Sequence, residues 1–238
     1  MHAETVSLLG WLKGMRQFQS KLQGHLWVDR IKHMKPKNIL FLFVAAVIVA
    51  AIAYTLTGTE SPEAYIEKIE AERERQFKFI RFNIDSPLTE EQKRNFNELN
   101  FYPIDPTYKV KALMVPIENK KVREVPLTDG SMERYIEHSY AEFELAGKSQ
   151  KLLLLQSMDE PDKRNFFLAF ADETSGIETY GGGRYINARQ DGKSSITLDF
   201  NLAYNPYCAY NPDYACPIPP KENILEIPIP VGEKNYDK

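Results

Sequence analysis

Apolar residues follow two different patterns along this 238-residue chain. Residues 39–57, "ILFLFVAAVIVAAIAYTLT", form one uncharged apolar run. From Tyr108 onward, short runs rich in Val, Ile, Leu, Tyr and Phe are separated by Gly, Asp, Asn or Pro at intervals of about ten residues. The first pattern is typical of a membrane span, and the second is typical of antiparallel strands.

The apolar run has the length of a bilayer crossing. Nineteen residues in a helix extend about 28 Å, close to the hydrocarbon thickness of a membrane. Lys35 and Lys37 precede the run, whereas Glu60 and Glu63 follow it. Because basic flanks stay in the cytoplasm, the sequence predicts a single transmembrane helix over 39–57 with the C-terminal part outside.

Two alternatives remain open at the N-terminus. The stretch "MKPKNILFLF" from Met34 also resembles the start of a cleaved signal peptide, although the apolar run is longer than usual for one. Residues 1–38 form either a basic cytoplasmic arm or, if translation starts at Met34, a segment that is largely not made.

Residues 58–107 predict a helical lead-in. Ser61 is a plausible N-cap and Pro62 suits the first helical position. Thr89 with Gln92 three residues later predicts a capping box for a second, short helix.

Residues 108–238 predict an extracytoplasmic β domain. Strands are expected at 109–116, 134–145, 151–157, 165–171, 183–188, 195–201 and 224–229. The segments "AGKSQ" and "QDGKS" supply hairpin turns. The predicted fold is therefore mainly β, a sandwich or open barrel of about seven strands, with one or two N-terminal helices after the transmembrane helix.

A polar stretch with three consecutive glycines is the strongest candidate for a binding site. Gly181–Gly183 can present backbone N–H groups, and the guanidinium of Arg184 suits a carboxylate or phosphate. The spacing is that of neither a P-loop nor a dinucleotide-binding loop. The predicted ligand-binding residues are Thr179, Tyr180, Gly181, Gly182, Gly183, Arg184, Asp199, Asn201 and Asn205.

The same polar residues also suit a purely structural network. If Arg184 and Asp199 lie on adjacent strands, they can pair, and the asparagines can satisfy nearby turn amides. A network of this kind fixes strand register and binds nothing.

Cys208 and Cys216 lie in the proline-rich segment "NPYCAYNPDYACPIPP". Outside the cytoplasm, a disulfide between them is the expected state, with two reduced buried thiols as the alternative. Their spacing differs from zinc motifs and no histidine is near, so we expect no metal and no cofactor.

An enzyme is the main rival to a binding module. His138 is the only histidine after the apolar run, and no Gly-x-Ser-x-Gly motif accompanies it. Glu178 and Asp199 are candidates for carboxylate acid–base catalysis in an envelope hydrolase.

Net charge argues against nucleic acid as a partner. The chain carries −3 overall, and seven basic against two acidic residues before Ile39 give +5 there, which leaves −8 on the rest. Tyrosines crowd the proline-rich segment, which suits contact with a protein partner or a sugar.

Four segments together carry a resemblance to a known family: "FADETSGIETYGGGRY", "LDFNLAYNPYCAY", "CPIPPKENIL" and "GEK". In this order and spacing they resemble the bacterial family DUF1684, over about residues 61–234. The resemblance implies no activity, cofactor or catalytic residue. The predicted span, the glycine run and the proline-rich segment together favour a bacterial inner-membrane protein whose periplasmic domain binds a small polar or anionic ligand or an envelope partner.

Overall fold

The computed structural model describes residues 35–56 and 60–236. The chain divides into two compact units, Met1–Glu60 and Ser61–Lys238. The first unit contains helix α1 (Pro36–Leu56). The predicted basic arm, up to residue 34, and the alternative start at Met34 lie outside the described residues.

The predicted transmembrane helix is contradicted. Within 35–56 and 60–236, the structure contains no helix with the length and apolarity of a membrane crossing. The single-pass anchor, and the inner-membrane location inferred from it, were therefore wrong.

The second unit begins with two helices whose starts are fixed by capping side chains. Helix α2 (Pro62–Phe82) has Ser61 as its N-cap, and the hydroxyl accepts a hydrogen bond from the Ala64 amide at 3.1 Å. Helix α3 (Glu90–Asn95) has the complete capping box of Thr89 and Gln92. Both predicted helix starts are confirmed.

One antiparallel sheet follows the helices. Its strands are β1 (Lys109–Pro116), β2 (Val122–Pro126), β3 (Met132–Leu145), β4 (Lys148–Ser157), β5 (Asn165–Phe170), β6 (Arg184–Arg189) and β7 (Ser195–Asp199). Their order is β6–β5–β4–β3–β1–β7, with β2 paired to β3. A bridge between Gln190 and Ile196 joins the two outer strands, so the sheet curls into a nearly closed barrel. The mainly β fold of about seven strands agrees with the sequence prediction.

The barrel encloses the main hydrophobic core. Alternate residues of the strands point inward because successive side chains on a strand face opposite sides. The fully buried apolar members include Ala141, Leu152, Leu154, Leu168, Phe170, Ile196, Leu198 and Phe200. Ala146 and Gly147, at φ of 52° and 72°, form the two-residue turn from β3 to β4, within the predicted "AGKSQ" segment.

The C-terminal segment differs from its predicted strand. Residues 224–229 alternate between exposed and buried positions but form no strand. Pro228 and Pro230 have no N–H to donate to a ladder, and only Ile224 makes an isolated bridge, to Ala171. The short helix α4 (Tyr207–Tyr210) lies in the proline-rich segment.

Candidate functional site

The glycine run is a close-approach turn into β6. Gly183 has φ of 85°, and a Cβ there would lie 2.6 Å from both the Phe170 carbonyl oxygen and Pro219 Cγ. Only glycine fits this backbone without strain and collision. Gly181 and Gly182 lie at negative or extended φ nearby, with Gly181 exposed. The run thus brings β6 against the Phe170 backbone.

Arg184, directly after this turn, lies entirely inside the protein. Its Nη2 donates to Asp172 Oδ2 and to the Ile229 carbonyl, each at 2.9 Å, and its Nη1 donates to the Val231 carbonyl. Both Arg184 and Asp172 side chains are 0% exposed. The partner that the sequence suggested, Asp199, is not the one observed, because Asp172 occupies that role. Arg184 therefore belongs to the core.

Asp199 joins the barrel to helix α2 instead. Tyr65 donates its hydroxyl to the two Asp199 carboxylate oxygens at 3.0 and 3.1 Å. The Asn201 amide nitrogen donates to Asp199 Oδ1 at 3.1 Å, to the Tyr65 hydroxyl at 2.9 Å and to the Asp105 carbonyl at 2.8 Å. Neutral donors therefore surround the Asp199 carboxylate.

Glu233 is the centre of a second buried network. Gln76 donates to its Oε2 at 2.6 Å, and the backbone and side-chain nitrogens of Asn205 donate to it at 2.9 Å each. Tyr210 donates a short hydrogen bond to Oε1. Burial raises the pKa of Glu233 to about 7, although all of these donors favour the ionised form.

This raised pKa predicts a pH-dependent stability. The pKa of Glu233 lies near 4.5 before folding and at about 7 after it, so the folded chain binds the proton more tightly. The stability that protonated Glu233 contributes is present below about pH 4.5 and is lost as pH rises to about 7. We therefore expect the free energy of unfolding to fall by about 3 kcal/mol over that range. Urea unfolding across this range should show the slope.

The variant Glu233→Gln should remove that slope, because an amide does not titrate. Glu226→Gln is the matched control, since Glu226 is an exposed glutamate of the same C-terminal segment. An equal slope in Glu233→Gln and the natural protein would contradict the assignment.

The cysteines are free thiols in the structure. Cys208 and Cys216 are both buried and unbridged, so the predicted disulfide is wrong. The Cys208 amide donates to Cys216 Sγ at 3.0 Å, and Tyr180 donates its hydroxyl to Cys208 Sγ at 3.6 Å. The hydrogen bond with Cys216 lowers the pKa of Cys208 and raises that of Cys216.

Thr179, another residue of the predicted ligand-binding set, is buried and shares a hydrogen bond with the Thr174 hydroxyl at 2.9 Å.

The residues considered for catalysis lie in separate places. His138 lies at the bulge of β3, where its Nδ1 is 3.1 Å from Ser139 Oγ, and burial lowers its pKa. Glu178 accepts a hydrogen bond from Tyr102 at 3.0 Å. Asp199 bonds to Tyr65 and Asn201, as described above. The structure gives Glu178 and Asp199 different partners and no shared hydrogen bond.

A cleft of about 730 Å³ lies between helix α2 and one end of the barrel. This volume is in the range of small-molecule sites, about 300–1,000 Å³. We name it the Arg73 cleft; its polar and aromatic lining residues include Arg73, Gln76, Phe101, Asn187, Asn201, Tyr204, Asn205 and Tyr207. Two residues of the predicted ligand-binding set, Asn201 and Asn205, thus line a cleft, whereas Arg184 and Thr179 are in the interior.

Unsatisfied polar atoms concentrate in this cleft. Among the described residues, the buried side-chain atoms that lack a hydrogen-bond partner are Nε and Nη2 of Arg73, Oδ1 of Asn205, and Nε of Arg184. Three of these four atoms belong to residues that line the Arg73 cleft. Because buried polar groups are normally satisfied, each exception needs a physical reason.

The guanidinium of Arg73 is held in place by an aromatic ring. Its Cζ lies 4.4 Å from the centre of the Phe101 ring, a cation–π distance. Burial lowers the pKa of Arg73 from its ordinary value, although arginine stays protonated at neutral pH. The neighbouring Glu72 and Arg75 neutralise each other as an ion pair. Arg73 therefore gives the cleft wall a positive charge.

Sequence reasoning missed Arg73, yet a signal was available. Helix α2 buries Tyr65, Ile69 and Ile80. Arg73 and Gln76 continue the same helical stripe at spacings of four, four, three and four residues. A charged residue is unusual on the buried stripe of a helix, so Arg73 could have been singled out from the sequence. Its neighbour Arg75 faces solvent.

The comparisons with known proteins give a family but no activity. A family model described as "Protein of unknown function (DUF1684)" matches residues 94–234. An uncharacterised protein of Haloarcula marismortui, solved by solution NMR, is 34% identical and superposes with a TM-score of 0.58 over 72% of this chain and 95% of that one. No curated protein matches the chain. The chain therefore belongs to the DUF1684 family of proteins of unknown function.

Proposed function

We propose that the barrel domain is a binding module for a small anionic ligand, held in the Arg73 cleft. The observation that carries the proposal is the guanidinium edge of Arg73, whose Nε and Nη2 have no acceptor among the described residues. These two nitrogens point the same way along one edge of the guanidinium, the arrangement that binds a carboxylate or phosphate through two parallel hydrogen bonds.

No described side chain hydrogen-bonds to that edge, although the carboxylates of Glu70 and Asp199 lie close enough to interact electrostatically with Arg73. Asp199, the carboxylate nearest in the network, already accepts four hydrogen bonds from Tyr65 and Asn201. Gln76 donates to Glu233. An anionic ligand supplies the missing acceptor. The Phe101 ring already holds the guanidinium in position, so binding costs little additional side-chain entropy.

Asn205 narrows the chemistry of the ligand. Its Nδ2 faces two acceptors, Glu233 Oε1 at 2.9 Å and the Lys234 carbonyl at 2.7 Å, which fixes the orientation of the amide. Its Oδ1 is left without a donor. A ligand that satisfies both residues carries an acidic group for Arg73 and a hydroxyl or amino group for Asn205. Small hydroxy acids, amino acids and sugar phosphates have this combination.

Replacing Arg73 with methionine separates binding from folding. Methionine keeps the apolar contact with Phe101 but removes the donors that lack partners. We expect Arg73→Met to leave the free energy of unfolding of the ligand-free chain unchanged or to raise it by about 1 kcal/mol. If Arg73 stabilised the fold, Arg73→Met would instead lower the free energy of unfolding.

The binding measurement uses the full chain and a panel of lactate, serine, glycerol phosphate and inorganic phosphate. Calorimetry should find at least one binder among them, with an affinity that Arg73→Met lowers by about 10- to 100-fold, the value of a charge-assisted pair. Arg94→Gln is the control, since Arg94 is an exposed arginine of α3 outside the cleft. A destabilised Arg73→Met variant, together with no binder in the panel, would contradict the proposal.

A further inference from the structure

A second cleft, of about 280 Å³, lies on the side of the barrel where β3, β5 and β6 meet the proline-rich segment. Its walls are mainly aromatic. We name it the tyrosine cleft, after the six rings in its lining: Tyr135, Phe167, Tyr185, Tyr204, Tyr207 and Tyr214. This concentration is high for a protein in which aromatic residues make up 12% of the chain.

Three ring pairs of the lining meet near right angles, and a fourth pair, Tyr135 and Phe167, is stacked with centroids 5.4 Å apart at 19°. Phe167 and Tyr185 have centroids 4.8 Å apart at 76°, and Tyr185 and Tyr204 are 5.9 Å apart at 89°. Across the cleft, Tyr207 and Tyr214 are 5.4 Å apart at 85°. Rings in different orientations can present their faces to a ligand from more than one direction. Each face carries the negative part of the aromatic quadrupole.

The charge of the lining has the same sign as the ring faces. Glu133, exposed at the start of β3, is the charged residue among those that line the tyrosine cleft, and none of the described lining residues is basic. The Tyr185 hydroxyl is already used, because it donates to the Pro217 carbonyl at 2.6 Å. Burial raises the pKa of Tyr204 to about 12, so its ring stays a neutral phenol at neutral pH.

A site with these properties selects a cation that needs no hydrogen bonds. Ring faces at right angles attract an organic cation by cation–π interaction, and a carboxylate at the rim adds a counter-charge. An anion would meet both Glu133 and the negative ring faces, whereas a neutral apolar group would gain nothing from Glu133. Among biological cations, alkylated ammonium groups fit best, because they are weakly hydrated and have few or no N–H donors.

We propose that the tyrosine cleft binds an alkylated ammonium group. Two sources carry this chemistry: a free small molecule of the choline type, or a methylated lysine side chain of a partner protein. The proposal does not depend on the Arg73 cleft, since it rests on the aromatic rings and Glu133 of this lining and not on the guanidinium of Arg73. Tyr204 and Tyr207 line both clefts, so the variants that test this site are chosen elsewhere.

The test compares charged and uncharged ligands of the same shape on the full chain. Choline and 3,3-dimethyl-1-butanol differ in whether the central atom is nitrogen or carbon, and calorimetry or NMR titration measures both. A trimethyl-lysine peptide and the same peptide with its neutral carbon isostere, in which a tert-butyl group replaces the trimethylammonium group, form the second arm. We expect at least a tenfold preference for the charged member in one arm, and the arm that shows it identifies the source.

Three variants locate the binding. Tyr214→Leu should lower the affinity for the cation by about tenfold and Glu133→Gln by about fivefold, the size expected for one cation–π contact and one exposed counter-charge. Tyr140→Leu is the control, because Tyr140 is a half-buried tyrosine of β3 outside the lining. Equal affinity for the charged and neutral members in both arms, or no binding in either, overturns the proposal, as does a preference that survives both cleft variants.

Discussion

Replacing Arg184 with methionine is expected to lower the free energy of unfolding by about 3–5 kcal/mol. The guanidinium is 0% exposed and lies between Asp172 and the carbonyls of Ile229 and Val231. Removing it leaves a buried carboxylate without its counter-charge and the Val231 carbonyl without its donor, whereas the Ile229 carbonyl still accepts from the Val231 amide at 2.9 Å. Because small domains have a total stability of about 5–15 kcal/mol, much of the stability is lost. Urea unfolding of purified variants measures the change.

A control and a rescue make this prediction specific. Arg189 lies on the same strand and pairs with Asp162 at 2.8 Å, but at an exposed position, so Arg189→Met should change stability by less than about 1 kcal/mol. Adding Asp172→Asn to Arg184→Met removes the stranded charge and keeps an oxygen for the Thr174 amide, which now donates to Asp172 at 2.9 Å. The double variant should therefore be more stable than Arg184→Met alone. Equal losses for Arg184→Met and Arg189→Met would contradict a structural ion pair.

Local sequence signals predicted the local structure well. The N-cap at Ser61 and the capping box at Thr89 depend only on residues within one turn of a helix, so they could be read directly. The turn between β3 and β4 is similar, because its two residues set their own backbone angles. Strand β2 was missed, since Val125 is its only buried residue and charged side chains surround it on an edge strand.

Features that depend on contacts between residues far apart in sequence were predicted less well. Residues 224–229 have the alternation of a strand, but Pro228 and Pro230 lack the N–H donors that a ladder needs, so the segment makes only isolated backbone hydrogen bonds with residues 171–173. The sequence analysis paired Arg184 with Asp199, whereas its partner is Asp172. Sequence separation does not show which acidic residue lies next to the Arg184 side chain in the fold. The cysteines were expected to bridge from their compartment alone, and the membrane prediction on which that compartment depended is contradicted.

The candidate site shows the same limit. The sequence placed ligand binding at the glycine run, where glycine and arginine together suggest an anion nest. The structure uses that arginine in the core, and among the described residues two of the three unsatisfied buried donors are on Arg73, some 110 residues earlier in the chain. Helix α2 brings Arg73 beside Asn201 and Asn205 only through tertiary packing. Of the predicted set, these two asparagines are the ones that the proposal retains.

Replacing Gly183 with alanine is expected to lower the free energy of unfolding by about 3 kcal/mol. About 1–2 kcal/mol comes from an L-residue at positive φ, and the rest comes from a methyl group forced against packed neighbours. Those neighbours are the Phe170 backbone carbonyl and Pro219, each 2.6 Å from the added carbon. Neither can rotate away, since one is backbone within β5 and the other is a proline ring.

The two preceding glycines give a graded control within the same turn. An added carbon at Gly182 would meet the Tyr180 ring at 2.5 Å, a side chain that can move, whereas at Gly181 the nearest atom is Gly176 Cα at an ordinary 3.5 Å. We expect losses in the order Gly183→Ala, Gly182→Ala, Gly181→Ala, with the last below about 0.5 kcal/mol. If all three variants unfolded at the same urea concentration, the close approach of β6 to Phe170 would not be the reason for the glycine run. The expected order would show that the close approach of β6 to Phe170 is the reason why Gly183 is required.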